Sequence, residues 1–170
     1  MKIALLLTST VCPQVATGKF SESERMEMYH STLQYYADTI GCDYPVVLVE
    51  NSDADLTVWK EEFKESLRLE ILQFVPLELQ NSQSNREDYG FDNRKGKGYN
   101  EYLMIKLALE RSESLKECTH FLKITGRYPM LNIREMLGEM EKRGKDKVMM
   151  CDVKDSRLYE ILWGTSYGSH

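Results

Sequence analysis

The sequence holds 170 residues, 27 acidic and 22 basic, for a net charge of −5, with 42% hydrophobic and 29% charged side chains. That length fits one domain on a prior of about 150 residues per domain, and it buries enough surface, about 70% of the unfolded chain's, to fold without disulfides or metals. The composition excludes a disordered tail, a fibrous repeat and a disulfide-stapled mini-protein, and the acidic balance argues against nucleic acid as a partner.

The chain opens on an apolar run, residues 2–8, whose continuous hydrophobicity predicts a strand buried on both faces. It is far below the ~20 residues that cross a bilayer. It also lacks the length and cleavage site of a signal peptide, so a cytoplasmic protein is expected. Residues 8–20 carry Thr, Ser, Pro and Gly with no period and read as a loop. Ser21 and Ser23 are caps for a helix with Met26, Tyr29, Leu33, Tyr36 and Ile40 on one face, closed by Gly41. Residues 44–49 predict a second buried strand, ending at Glu50-Asn-Ser-Asp-Ala-Asp55. A helix follows over 56–66, with Leu56, Trp59 and Phe63 on one side. Residues 69–75 read as a third strand or as the end of that helix.

Residues 76–98 are polar, with Gly90, Gly96, Gly98 and the basic Arg94, Lys95 and Lys97, and predict a long functional loop. Asn100 is the expected cap of a helix carrying Leu103, Met104, Leu107 and Ala108. Residues 120–125 predict a strand, Asn132 caps a helix to about residue 142, and Gly144 closes it. Residues 147–152 predict another strand, and 159–167 have strand-like composition. This alternation implies an α/β fold, a mostly parallel sheet with helices on both faces. Ligands of such sheets bind beyond the carboxyl ends of the strands. Cys12, Cys42, Cys118 and Cys151 are widely spaced with no CxxC. They suggest neither zinc nor a redox pair and read as reduced, mostly packed thiols.

Four stretches carry candidate chemistry. Glu50, Asn51 and Ser52 end a strand and offer hydrogen bonds to a ribose or a base, against the plain alternative of a helix cap. Asp53 and Asp55 have a spacing that can hold a cation through oxygens, but the pair is common by chance in an acidic chain. Lys95-Gly-Lys-Gly-Tyr-Asn-Glu101 sets lysines and glycines ahead of a helix N-terminus, which favours an anion. It is neither a P-loop nor a dinucleotide fingerprint. Lys123-Ile-Thr-Gly-Arg-Tyr128 is the most informative. Lys123 and Thr125 share a strand face with Phe121, Gly126 permits a close approach, and Arg127 presents a planar fork for a phosphate or carboxylate. Asp152, with Asp155 nearby, ends the next strand as a base, ligand, hydroxyl acceptor or cap. No GxSxG, HExxH or nucleophilic triad is readable.

Taken in order, the first strand, Val-Leu-Val-Glu50-Asn-Ser52, Gly96-Lys-Gly-Tyr-Asn-Glu101, Phe121-Leu-Lys-Ile-Thr-Gly-Arg-Tyr128 and Val148-Met-Met-Cys-Asp152 resemble the nucleotide-diphospho-sugar transferase (GT-A) glycosyltransferases. The likeness is strongest to bacterial surface-polysaccharide members with a Lys-Ile/Leu-Thr-Gly-Arg-Tyr motif. It spans residues 1 to about 155. The resemblance implies one nucleotide-sugar-binding domain over 1–170, a nucleotide-sugar donor, and a saccharide or lipid-linked acceptor; it leaves room for peripheral contact with a membrane. It implies nucleoside contacts from Glu50, Asn51 and Ser52, and donor contacts from Lys95, Lys97 and Asn100. Thr125-Gly-Arg127 stands where the family carries its metal-binding Asp-x-Asp. Lys123, Thr125 and Arg127 are therefore expected to hold the diphosphate, with Arg127 neutralising the leaving group and Asp152 orienting hydroxyls. No Mg²⁺ or Mn²⁺ is expected to be required. Family members usually continue past the sheet, so the chain is also expected to be short at its acceptor end. The alternative is a non-catalytic nucleotide-sugar-binding or assembly protein on the same fold. A small kinase or methyltransferase is a third reading, weakened by the missing P-loop and glycine-rich first turn.

Overall fold

A computed structural model describes residues 1–13, 20–80 and 87–143. The chain divides into two compact units, Met1–Leu137 and Gly138–His170. Only residues 138–143 of the second are described. The expected strand at 147–152, the segment 159–167, Gly144, Cys151, Asp152 and Asp155 lie outside the described residues.

The order is β1 (Ile3–Ser9), α1 (Glu22–Thr39), β2 (Val46–Glu50), α2 (Thr57–Phe63), β3 (Leu69–Gln73), α3 (Lys97–Arg111), α4 (Glu113–Lys116), β4 (His120–Thr125) and α5 (Ile133–Arg143). The four described strands are all parallel, in the order β3-β2-β1-β4. The fold is thus α/β, and β1 and β2 are buried along their whole length, as uninterrupted apolar runs require. Residues 69–73 are strand rather than helix. The preceding helix stops at Phe63, three residues early, because the amides of Ser66 and Leu67 turn back onto the Phe63 carbonyl and swing the chain into β3.

Connectivity places the layers. The chain steps from β1 to β2 to β3 in one direction, then returns past β1 to β4. Right-handed crossovers put α1 and α2 on one face and α3 on the other. On the α3 side, Met104, Leu107, Ala108 and Leu115 pack with Ala4, Leu6, Val47, Val49 and Phe74. The opposite strand faces, with Leu5, Leu7, Val46 and Leu48, are equally buried. α1 and α2 meet where the His30 ring lies against Trp59 and Phe63. Among the described residues, no helix is long and apolar enough to cross a membrane.

The helix ends follow local chemistry. Ser21 caps α1 in a reciprocal pair: its hydroxyl accepts from the Glu24 amide at 3.2 Å, and the Glu24 carboxylate accepts from the Ser21 amide at 2.7 Å. Gly41, at φ +54°, turns the chain out of α1. Cys42 next to it is exposed, so the expectation of mostly packed thiols fails there, while Cys12 and Cys118 are half-buried. α3 begins three residues before the predicted cap. Gly96, at φ +86°, occupies the N-cap position. Asn100 instead ties the first turn to the preceding 3₁₀ turn. It accepts from the Asp92 amide at 3.0 Å and donates to the Asn93 side chain at 3.1 Å.

The start of α4 is capped across the fold by Glu70 of β3. Its carboxylate accepts from the Ser112 hydroxyl at 2.7 Å and from the amides of Ser114 at 3.0 Å and Glu113 at 3.1 Å. Burial alone would raise the Glu70 pKa, but these hydrogen bonds hold it below the usual glutamate value. Its stabilisation is therefore present above the unfolded-state pKa of about 4.3 and lost as the pH falls through the lower folded-state value. Glu70→Ala is expected to cost about 1–2 kcal/mol at neutral pH, the range of a lost helix cap. Urea unfolding should show the difference from wild type shrinking in acid.

Candidate functional site

Strand register sets the site. Ser9 pairs with Glu50, Glu50 with Gln73, and Thr8 with Thr125. Four carboxyl ends therefore finish level, as the sequence analysis expects for a binding edge. Above them lies a cleft of about 540 Å³, within the usual range of small-molecule sites.

The loop after β1 forms its first wall and is pinned from two directions. From α1, Arg25 Nη1 donates to the Thr10 carbonyl at 3.3 Å, and the Tyr29 hydroxyl accepts from the Thr10 amide at 3.1 Å. Residues 25 and 29 are one helical turn apart, so one face of α1 grips both backbone groups of Thr10. From β2, the Glu50 carboxylate accepts from the amides of Val11 at 3.1 Å and Ser52 at 2.7 Å, from the Ser52 hydroxyl, and from Gln73 Nε2 at 3.4 Å. The Ser52 hydroxyl in turn accepts from the Cys12 amide at 3.0 Å.

Glu50 and Ser52 are both 0% exposed. They hold the cleft's loops together from behind and present nothing to a ligand. Burial pushes the Glu50 pKa up, against the pull of its four donors. Of the expected nucleoside contacts, only Asn51 lines the cleft, where it accepts from the Thr10 hydroxyl at 2.5 Å. Asp53 and Asp55 point to solvent, and Asp55 accepts from the Thr57 amide and hydroxyl at the start of α2. Among the described residues, no group of three or more His, Cys, Asp or Glu is gathered to hold a metal ion.

The second wall is the start of α3. Gly96, Lys97, Asn100 and Glu101 line the cleft. Lys95 does not. It lies over the Tyr99 ring, 4.5 Å from the centroid, and lines a separate polar depression with Asp92 and Arg94.

The third wall is the end of β4, with Thr125 and Arg127. Lys123 stands behind it, paired to Glu101, whose carboxylate also accepts from the Thr8 hydroxyl at 2.9 Å. Burial would raise the Glu101 pKa, but the Lys123 and Thr8 hydrogen bonds and the Lys123 charge hold it down. Lys123 thus meets the requirement that a lysine within an apolar strand find a partner. Its charge is matched by Glu101, and it does not line the cleft. The Arg127 guanidinium lies 5.9 Å from both the Phe20 and Tyr128 rings. Gly126 places it: its amide donates to the Thr8 carbonyl at 3.0 Å, so the backbones of β1 and β4 touch. Beyond Arg127, the chain is fastened to α1 by Tyr35 and Tyr36, which bond the Leu131 carbonyl at 2.9 Å and the Met130 amide at 3.0 Å.

The structure thus brings together Asn51, Lys97, Asn100, Thr125 and Arg127. It adds Thr10, Arg25, Asn93 and Glu101, which sequence reasoning misses. Arg25 carries a legible signal: it falls one turn before Tyr29 on the apolar stripe of α1, where a charge is out of place. Glu101 carries none. No protein-family model, no curated protein and no solved structure matches the chain.

Proposed function

We propose that the cleft binds a nucleoside-diphospho-sugar and that the protein is a glycosyltransferase acting on a polysaccharide or lipid-linked acceptor. The observation that carries this reading is the placement of Arg127. Its guanidinium stands on the cleft wall at the carboxyl end of β4, at the position where the resemblance calls for a metal-binding acidic pair. Glycosyl transfer leaves a diphosphate on which negative charge grows. A guanidinium there stabilises that charge with two parallel donors, so no metal is needed to neutralise it. Asn51 and Thr10, one hydrogen-bonded pair lining the same cleft, offer amide and hydroxyl edges to the nucleoside. The part of Asp152 in orienting sugar hydroxyls belongs to the same proposal.

Thermal melting against a panel of nucleotide-sugars and nucleoside diphosphates, with and without Mn²⁺, tests the donor site. A ligand that binds the folded state raises the melting temperature in proportion to the logarithm of its excess over Kd. Arg127→Ala is expected to weaken the stabilising ligand by about 10- to 100-fold, the worth of charge-assisted hydrogen bonds. Wild-type affinity and turnover in that variant, or no shift with any nucleotide, would sink the assignment. Binding with neither transfer nor hydrolysis would favour the non-catalytic reading.

A further inference from the structure

We propose that Glu101 is a specificity-determining residue that accepts a saccharide hydroxyl in the cleft and disfavours a carboxylate there, with Lys123 and Thr8 as the positioning residues that hold it. This rests on the sugar-binding part of the reading above and narrows the sugar to one that is uncharged at that point. The arrangement follows from register. Lys123 of β4 pairs with Leu6 of β1, and Thr8 lies two residues beyond Leu6. Leu6 packs on the α3 side of the sheet, so Lys123 and Thr8 face α3 as well. Glu101 meets them from the second turn of that helix. It falls one turn before Met104, on the stripe that α3 buries with Leu107 and Ala108, where an acid is out of place.

The two oxygens of Glu101 are used unequally. Oε1 accepts from both the Thr8 hydroxyl, at 2.9 Å, and Lys123 Nζ. Among the described residues, no donor reaches Oε2. Glu101 is also the one carboxylate among the described residues that line the cleft. One oxygen therefore fixes the side chain to the wall, and the other is left to a ligand. A carboxylate oxygen only accepts, so it calls for an O–H or N–H donor and repels a second carboxylate. Around it the cleft offers Thr10, Asn51, Asn100 and Thr125 as hydroxyl and amide partners, with Met104 as an apolar surface. Uncharged hydrogen-bonding groups beside an apolar contact suit a sugar ring, which carries hydroxyls at its edge and C–H groups on its faces. The Lys123 and Thr8 hydrogen bonds and the Lys123 charge also keep Glu101 ionised, and an ionised acceptor makes the stronger bond to a hydroxyl. Lys97, one turn earlier on α3, is the other cation on this side of the helix.

The test is an NMR titration of the whole chain with glucose, galactose and mannose, each beside its uronic acid. The reporters are the Glu101 carboxyl carbon and the Met104 methyl group. At least one neutral sugar should move both signals. Glu101→Gln keeps one oxygen for Thr8 and Lys123 and puts an NH₂ group in place of the free one. It should bind that sugar about 10-fold less tightly, as for a lost charge-assisted hydrogen bond, and the sugar's advantage over its uronic acid should shrink. Lys123→Met frees Glu101 from its counter-charge, so binding should weaken as the pH falls and do so at a higher pH than in wild type; Lys123→Arg should restore the wild-type profile. A Met104 signal that moves while the Glu101 carboxyl stays still would overturn the proposal. So would no response to any neutral sugar, or a Glu101→Gln protein with the affinity and preference of wild type. If Glu101→Gln does not fold, the wild-type Glu101 carboxyl signal decides alone. The two readings fail separately. A sugar bound at Glu101 without binding of any nucleotide-sugar removes the glycosyltransferase and leaves the hydroxyl acceptor. Nucleotide-sugar turnover with unchanged kcat/KM and sugar preference in Glu101→Gln removes the acceptor and leaves the enzyme.

Discussion

Gly126→Ala is expected to lower the melting temperature by several degrees and to weaken every ligand that depends on Arg127. A Cβ at position 126 would lie 2.9 Å from the Thr8 carbonyl oxygen and 3.2 and 3.3 Å from two atoms of the Tyr29 ring. Neither neighbour can yield. Thr8 belongs to β1, the strand flanked by β2 and β4. Tyr29 is buried and fixed through its hydroxyl to the Thr10 amide. The end of β4 must therefore move, and Arg127 moves with it. Overpacking of this kind costs about 1–3 kcal/mol, and each kcal/mol shifts the melting temperature by about 2–4 °C in a chain of this size. Gly138→Ala is the control. That glycine lies in α5 with nothing within 4 Å of a built Cβ, so alanine there should be neutral or stabilise slightly through helix propensity. Equal melting temperatures for Gly126→Ala and wild type would show that the close approach of β1 and β4 does not constrain the site.

What the sequence discloses, and what it hides, follows from range. β1 and β2 are legible because a strand buried on both faces writes itself as a continuous apolar run, and β4, of which only Ile124 is buried, still falls at 120–125 as expected. α1 is legible down to its capping serine. The start of α3 is not. Asn100 is a good capping residue, but a glycine with φ +86° four residues earlier settles the matter, and sequence does not display a backbone angle. The site residues divide by the same rule. Arg127 and Lys97 are legible because their local motifs place them at element ends. Glu50 stands out in the sequence but suggests the wrong role. Its donor at Val11 lies 39 residues away, and no local pattern tells an inward carboxylate from an outward one. The pairing of Lys123 with Glu101 spans 22 residues and is invisible for the same reason.

Glu50 gives the second large effect. Its Oε1 accepts from the Val11 amide and the Ser52 hydroxyl, and its Oε2 from the Ser52 amide and Gln73 Nε2. Glu50→Gln preserves shape and must turn an NH₂ group toward one of those two sets of donors. At least one buried donor is then orphaned, at a cost of about 1–3 kcal/mol. The loops after β1 and β2 lose their common tie, so ligand affinity should fall with stability. The pH dependence separates this account from a simple loss of packing. Burial raises the folded-state pKa of Glu50 above the unfolded value of about 4.3. The folded state therefore binds the proton more tightly. Its contribution to stability is fully present below the unfolded value and is lost as the pH rises through the folded one. Glutamine has no such proton, so the deficit of Glu50→Gln relative to wild type should narrow as pH rises through that window. Urea denaturation of both proteins at a series of pH values from about 4 to neutrality measures it. A deficit that stays constant or widens would mean that Glu50 is already ionised at little cost and that its donors outweigh its burial.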